Sequence, residues 1–226
     1  MNQVLILRPQ PGADQSARLA RSFGLKPVVA PLFRVRPLAW EPVEAAGFDA
    51  VMMTSANAAR HGGPGLTPLR PLPCYAVGEA TAAAAREAGF ERVTAGEGDA
   101  EDLIDRCAGD GVRNLLHLGG REHRPVERPG LRVERRIVYA SDAAGALPAA
   151  AREAIEGGAV ALLHSPRAAA LFGELVAARR SIAIAAISAA AAEAAGDGWR
   201  VREAAPRPTD EALLELAAKL CKIAAR

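Results

Sequence analysis

The chain has 226 residues, a net charge of +2, half its residues apolar and only 4% aromatic. Acidic and basic residues interleave, so there is no basic face for DNA, and aromatics are too few for a single-strand stacking platform. Cys74, Cys107 and Cys221 are scattered, with no C-x-x-C pair, which fits reduced thiols in a cytoplasmic protein.

The run VLIL, residues 4–7, reads as a strand with no positive segment before it, and not as a secretory leader. Arg8-Pro9 closes it, and a helix is expected over 13–23, then a short strand over 27–29. PLFRVRPL, 31–38, alternates charged and apolar residues as a half-buried strand does. DAVMMTSANAAR, 49–60, is an apolar strand (50–53) that stops at Thr54-Ser55 and runs into a helix that Ser55 can cap. GPGLTP reads as a turn-rich loop. A strand is expected over 75–77, followed by Gly78 and a helix over 79–88 with Thr81 one turn in. Then come a helix over 100–107 and a strand over 115–118 that ends at Gly119-Gly120-Arg121. RVERRIVYAS, 132–141, repeats the charged–apolar alternation. The remaining elements are strands over 160–163 and 182–187 and helices over 166–178, 189–195 and 210–223. Thr209 can cap the last helix, Asp210 and Glu211 suit its positive end, and Leu213, Leu216, Ala217 and Leu220 form a core-facing stripe. Apolar strands without alternation, alternating with helices, predict an α/β fold of parallel sheets covered on both faces. No apolar run is long enough to span a membrane.

The sequence repeats itself. AVMMTSANAA is echoed by VALLHSPRAA, AVGEATAAAA by AAISAAAAEA, and DAEDLID by TDEALLE. Ser55 and Ser165, Val77 and Ile187, Leu103 and Leu213, and Leu5 and Leu115 are each 110 residues apart. Two similar α/β lobes are the economical architecture. The alternating stretches 31–38 and 132–141 hold matching places. They either pair as a bridge between lobes or each form an edge of their own lobe.

Ser55 and Ser165-Pro166 sit at helix starts, where serine caps and proline is tolerated whether or not a ligand is present. Their location adds something. Ligands bind at the carboxyl ends of parallel strands, and helix N-termini attract anions. Gly78 with Thr81, Gly119-Gly120-Arg121 and Arg8-Pro9 extend the same pattern. Arg far outnumbers Lys, which fits GC-rich coding and equally fits guanidinium groups for carboxylate ligands. His61, His117, His123 and His164 match no zinc spacing. No phosphate-loop, dinucleotide or nucleophile-elbow motif occurs, and the acidic residues read as solvated helix faces. The expectation is a pair of anion-binding strand-end sets with no catalytic triad and no bound cofactor.

The chain resembles the uroporphyrinogen-III synthase family. The family's Thr-Ser segment after an apolar strand is matched by MMTSANAA, and its Val-Gly-x-x-Thr-Ala segment by Val77, Gly78, Thr81 and Ala82. Gly98, Ala100 and Leu103 match its Gly-x-Ala-x-x-Leu segment, and Tyr139 a tyrosine after the Arg-rich strand. Ser165-Pro166 and Pro208-Thr209 match second-lobe motifs. One segment departs: where the family carries Ile-Gly-x-Thr-Thr-Ala, Ser188 stands at the glycine and Ala190 and Ala191 at the threonines, so a hydroxyl contact there is in doubt.

The resemblance implies two α/β lobes, residues 1–35 plus 141–226 and residues 39–135, joined by linker strands near 31–38 and 132–141, with the active site in the cleft between the lobes. It implies cyclisation of hydroxymethylbilane, a linear tetrapyrrole bearing acetate and propionate groups. Water is lost and the last pyrrole is inverted through a spiro intermediate, with no cofactor. The implied substrate-binding residues are Arg8, Thr54, Ser55, Asn57, Gly78, Thr81, Arg121, Ser165, Arg167 and Ser188. Tyr139 is the candidate proton donor to the departing hydroxyl, although an amphipathic linker tyrosine reaching water reads the same in sequence. The rest of the expectation is a cytoplasmic monomer without nucleic-acid or membrane partners. A cytosolic, non-catalytic two-lobed sensor of an acidic small molecule is the rival class.

Overall fold

The computed structural model describes residues 2–122 and 127–223, so His123 lies outside the described residues. In chain order the strands are β1 (Gln3–Ile6), β2 (Lys26–Val29), β3 (Phe33–Pro37), β4 (Ala50–Met53), β5 (Pro73–Val77), β6 (Arg92–Gly96), β7 (Asn114–Gly120), β8 (Arg132–Ala143), β9 (Val160–Leu163), β10 (Ala183–Ala186) and β11 (Val201–Ala204). The α-helices are α1 (Gly12–Ser22), α2 (Ala56–His61), α3 (Glu79–Glu87), α4 (Ala100–Gly109), α5 (Ala149–Glu156), α6 (Pro166–Leu175), α7 (Ala189–Ala194) and α8 (Asp210–Ile223). The chain divides into two compact units, Met1–Arg34 with Asp142–Arg226 (the first lobe) and Val35–Ser141 (the second).

The first lobe holds a sheet of order β11-β10-β9-β1-β2, parallel throughout. Successive strand residues face opposite sides. Leu5, Ala161, Leu163, Ile184 and Ala186 pack with Phe172 of α6 and with α5 and α7. Val4, Ile6, Val160, Leu162, Ala183 and Ala185 pack with Ala17 of α1 and with Leu213, Leu216, Ala217 and Leu220 of α8. Both faces are therefore covered, which is why these strands read as continuous apolar runs.

The second lobe repeats the plan in the order β3-β8-β7-β4-β5-β6. Val51, Met53, Cys74, Leu116 and Leu118 face α2 and α3. Ala50, Met52, Tyr75 and Leu115 face Leu103, Ile104 and Cys107 of α4. At the opposite end from the helix starts, Asp49 accepts from the amides of Arg113 and Asn114 at 2.9 and 2.8 Å and clips the entry of β4 to that of β7.

The 110-residue repeat is carried by the fold in exchanged halves. β4 and β5 correspond to β9 and β10, and Leu5 of β1 to Leu115 of β7. Each sheet thus combines the leading strands of one repeat with the trailing strands of the other, in matching order: β1-β9-β10-β11 and β7-β4-β5-β6. The two alternating stretches are neighbours in a sheet. Leu38 N donates to Val138 O at 2.9 Å and Ala144 N to Leu32 O at 2.8 Å, so the strands run in opposite directions. β8 also pairs in parallel with β7, so it is at once a partner of β3 and an extension of the second sheet.

Several elements differ from the sequence expectation. β6, β11 and α5 were not anticipated; both strands are half-exposed edges that carry charges. α6 stops at Leu175, short of 178, because Val176 turns extended and the Arg179 side chain takes over the end of the helix. Arg179 donates to the carbonyls of Gly173 and Val176 and lies 5.0 Å over the Trp199 ring. GPGLTP belongs to a 3-10 helix, Gly63–Leu69, anchored by buried Leu66 and Leu69.

Candidate functional site

In the second lobe the candidates gather at the carboxyl ends of adjacent strands. Met53 of β4 is level with Leu118 of β7 and Ala76 of β5, which places Thr54, Gly119 and Val77 side by side. Ser55 is extended, with φ −156°, and its hydroxyl accepts from Asn57 N at 3.2 Å, so it caps α2. Thr54 Oγ1 lies 3.3 Å from Nε2 of His117, a buried residue on β7. Gly78 opens α3 at φ 73° and ψ 162°, a region essentially closed to other residues. Thr81 is buried in the first turn of α3. Asn57 is half-buried in the first turn of α2.

Tyr139 is held at the same end. Gly120 is its register partner across a bulge, and a Cβ on Gly120 would come within 2.6 Å of Tyr139 Cζ and 2.8 Å of its hydroxyl. Glycine there lets the phenol lie on the β7 backbone. The His61 ring is 6.4 Å away, and Arg121 N donates to Tyr139 O at 2.9 Å. The tyrosine is half-buried and packs against the core cluster beneath α2 and α3. Arg135 donates Nη2 to the Gly120 carbonyl. Burial lowers the Arg135 pKa. The exposed Arg121 guanidinium donates Nε to Glu122 at 3.2 Å. Beside His61 lies a pocket of about 590 Å³ with Pro37, Leu38, Trp40, Gly65 and Pro68 on its walls.

The first lobe brings together a second set. Ser165 caps α6 by accepting from Ala168 N at 3.2 Å, with Pro166 at the first helical position. Ser188 caps α7 by accepting from Ala191 N at 3.3 Å. Arg167 lies with its guanidinium 4.4 Å over the Phe33 ring, a cation–π contact. Arg8, at the end of β1, donates Nη1 to both oxygens of Asp210 at 3.1 Å and to Ser16 Oγ at 3.2 Å. Ser16 Oγ in turn donates to Asp210 Oδ2 at 2.6 Å. His164 Nε2 stands 3.4 Å from Ser16 Oγ and 3.6 Å from Asp210 Oδ1. Burial, and then the Arg8 charge, push the His164 pKa down to about 4, so the ring is neutral near pH 7.

Ser16, His164 and Asp210 have the residue types of a nucleophilic triad but not its geometry. The serine proton is committed to the carboxylate at 2.6 Å, and a single histidine nitrogen faces both partners. A relay needs the histidine between the other two, with one nitrogen for each. The acidic residues are therefore not all solvated helix faces: Asp210 is 22% exposed in its side chain and lies inside this cluster. Sequence reasoning also missed His61, His117 and Arg135. One signal was available, because His164 stands 110 residues after Thr54, at the same strand-end position. Among the described residues no group of three or more His, Cys, Asp or Glu side chains is arranged to hold a metal ion.

Parallel sheets flanked by helices, with serine- and glycine-started helices at their carboxyl ends, define an α/β protein whose strand ends carry helix N-termini. A family model described as uroporphyrinogen-III synthase HemD matches residues 14–215, and the chain belongs to that family. The chain is similar in fold to the uroporphyrinogen-III synthetase of Helicobacter pylori, with a TM-score of 0.67 and 20% identity over 97% of this chain and 100% of that one. It is similar also to a mutant uroporphyrinogen III synthase of Thermus thermophilus, with a TM-score of 0.57 and 16% identity over 99% of this chain and all of that one. No match is found among curated proteins.

Proposed function

We propose that this chain is a lyase that closes hydroxymethylbilane to uroporphyrinogen III, losing water and inverting the last pyrrole ring. The carrying observation is the pairing of the family match over residues 14–215 with strand ends that offer helix-start amides and serine caps. The substrate is already reactive and closes unaided to the uninverted isomer. The protein's task is to hold the conformer that inverts, and positioning alone supplies several kcal/mol.

In this reading acetate and propionate groups are taken by amides at the starts of α2 and α3 in the second lobe and of α6 and α7 in the first, where Ser55, Gly78, Ser165 and Ser188 precede the first helical residues. Thr54, Asn57 and Thr81 border the second-lobe set, and Arg121, Arg8 and Arg167 add charge-assisted bonds to carboxylates. Replacement of the threonines by Ala190 and Ala191 does not remove the α7 amides. The apolar pocket beside His61 gives a pyrrole ring a wall to lie on.

The hydroxyl leaves as water only if it gains a proton. Tyr139, laid on Gly120, is the donor in this reading, and the proton released when the ring closes restores it. In this reading the reaction needs no cofactor and runs in the cytoplasm, in a monomer. No described helix is long and apolar enough to cross a membrane.

The test is turnover of enzymatically generated hydroxymethylbilane, followed by isomer analysis. The type III isomer is expected to dominate without added metal or nucleotide. Type I alone, at the rate without protein, overturns the reading.

A further inference from the structure

Arg8 is gripped along one edge only. Its Nη1 carries the bonds to Asp210 and Ser16, while Nη2 makes no hydrogen bond among the described residues, and the side chain is 32% exposed. Its face lies over Gly12, where a Cβ would approach Nε within 2.6 Å and Cζ and Nη2 within 2.8 Å, so glycine lets the guanidinium lie flat on the start of α1. Asp210 is braced in turn by the buried hydroxyl of Ser16. Nor is α8 what needs Arg8. Thr209 Oγ1 already accepts from Ala212 N at 3.3 Å, and an aspartate in the first helical turn is favourable by itself.

We propose that Asp210, braced by Ser16, is a positioning residue that fixes Arg8 by Nη1 and leaves the opposite edge of the guanidinium directed at a substrate carboxylate. This rests on the reading of the protein as a tetrapyrrole cyclase, and it adds a residue that works only through Arg8. An arginine on a free stem must be immobilised when ligand binds, which weakens binding about twofold to tenfold. Here the folded protein has already ordered it.

The sign of one substitution separates positioning from simple charge balance. Asp210→Asn removes a negative charge beside Arg8. If Asp210 only neutralised Arg8, the variant would bind an anionic tetrapyrrole more tightly. If Asp210 positions Arg8, binding weakens although the site has become more positive.

The experiment measures the Kd of anaerobic uroporphyrinogen III, together with KM and kcat for hydroxymethylbilane, on wild type, Asp210→Asn, Arg8→Lys and the double variant. Kd and KM are expected to rise roughly threefold to tenfold in each single variant, with kcat moving less, because Arg8 holds substrate and transition state alike. The double variant is expected to be no worse than Arg8→Lys, since the two residues act as one unit. Unchanged or tighter binding by Asp210→Asn, or effects that multiply in the double variant, overturns the proposal. Should Asp210→Asn not fold, Ser16→Ala loosens the same brace and must shift Kd in the same direction; no shift overturns the proposal. A wild type that binds the tetrapyrrole yet yields only type I defeats the cyclase reading and leaves the positioning claim to be decided by Kd. A wild type that does not bind overturns both.

Discussion

Gly78 and Ser188 stand 110 residues apart at the same strand end of the two repeats, and their backbones share ψ but not φ. Gly78 has φ 73° and ψ 162°, whereas Ser188 has φ −153° and ψ 164°. The serine cannot take the glycine's conformation cheaply. It goes extended and replaces the lost turn with a hydroxyl cap. Gly78→Ser is expected to destabilise the protein by about 1–3 kcal/mol through backbone strain alone, since nothing lies within 4 Å of the added Cβ. Ser188→Gly is expected to cost only a few tenths of a kcal/mol. Denaturant unfolding of both variants checks this asymmetry, and equal losses would refute it.

Tyr139→Phe is expected to lower kcat by about two to four decades, the usual worth of general-acid assistance. Gly120→Ala should reach a comparable loss by another route, because its methyl occupies the space of the phenol ring at 2.6 Å. Steady-state kinetics on both variants, with their thermal midpoints recorded, tests the pair. A silent Tyr139→Phe would remove the phenol from the reaction.

Side chains at the other strand ends should matter less. Ser55→Ala, Thr81→Ala and Arg121→Ala are each expected to cost about one to two decades in kcat/KM, the worth of one hydrogen bond to a charged group. In the proposed reading the helix amides also hold the ligand, and they survive these changes. Ser55→Ala should also cost roughly 1 kcal/mol of stability from the lost α2 cap. Complete loss of turnover in Ser55→Ala would show side-chain chemistry at that position.

Stability should depend on pH through His164. Burial, and then the Arg8 charge, lower its folded pKa to about 4, with Asp210 opposing. In the unfolded chain a histidine titrates near 6.5. Between those values the unfolded state binds more protons, so stability rises with pH there. The contribution is complete above about pH 6.5 and is lost as pH falls toward the folded pKa. His164→Asn should flatten this slope, as read by denaturation at about pH 7 and about pH 5. The same slope in the variant would assign the effect elsewhere.

The thiols should be silent in the native protein. Cys74, Cys107 and Cys221 are buried, and burial pushes the first two up to about 12. Thiolate is the reactive form. An aromatic disulfide reagent should therefore react only as the chain unfolds.

The parts of the fold legible in sequence were those whose burial is uniform. VLIL, AVMM and VALL stand out as runs because both faces of their strands are covered, and the serine caps follow from residue type at a strand end. β6 and β11 escaped because edge strands keep one side in water and so mix charge with apolar residues. The alternating stretches 31–38 and 132–141 were legible as strands, but not their pairing, since alternation fixes a face and not a partner. The Arg8–Ser16–His164–Asp210 cluster was beyond reach for a further reason. Its members come from β1, α1, the end of β9 and α8, as much as 202 residues apart, and Asp210 has a complete local explanation as a helix-start acid. What brings them together is the exchange of repeat halves between the lobes.

That exchange has a consequence for how the chain emerges from a ribosome. The second lobe is continuous, Val35–Ser141, and can close as soon as it is clear of the exit tunnel. The first lobe cannot: β1 needs β9 on its open flank, and β9 begins at Val160. At about 5–20 residues per second, the N-terminal segment waits on the order of ten seconds for its partner. For most of that wait the second lobe is itself still being made, and the chain carries β1 and β2 with apolar surface and a strand edge uncovered. Synthesis stalled anywhere before β9 leaves those two strands without the neighbour that covers them.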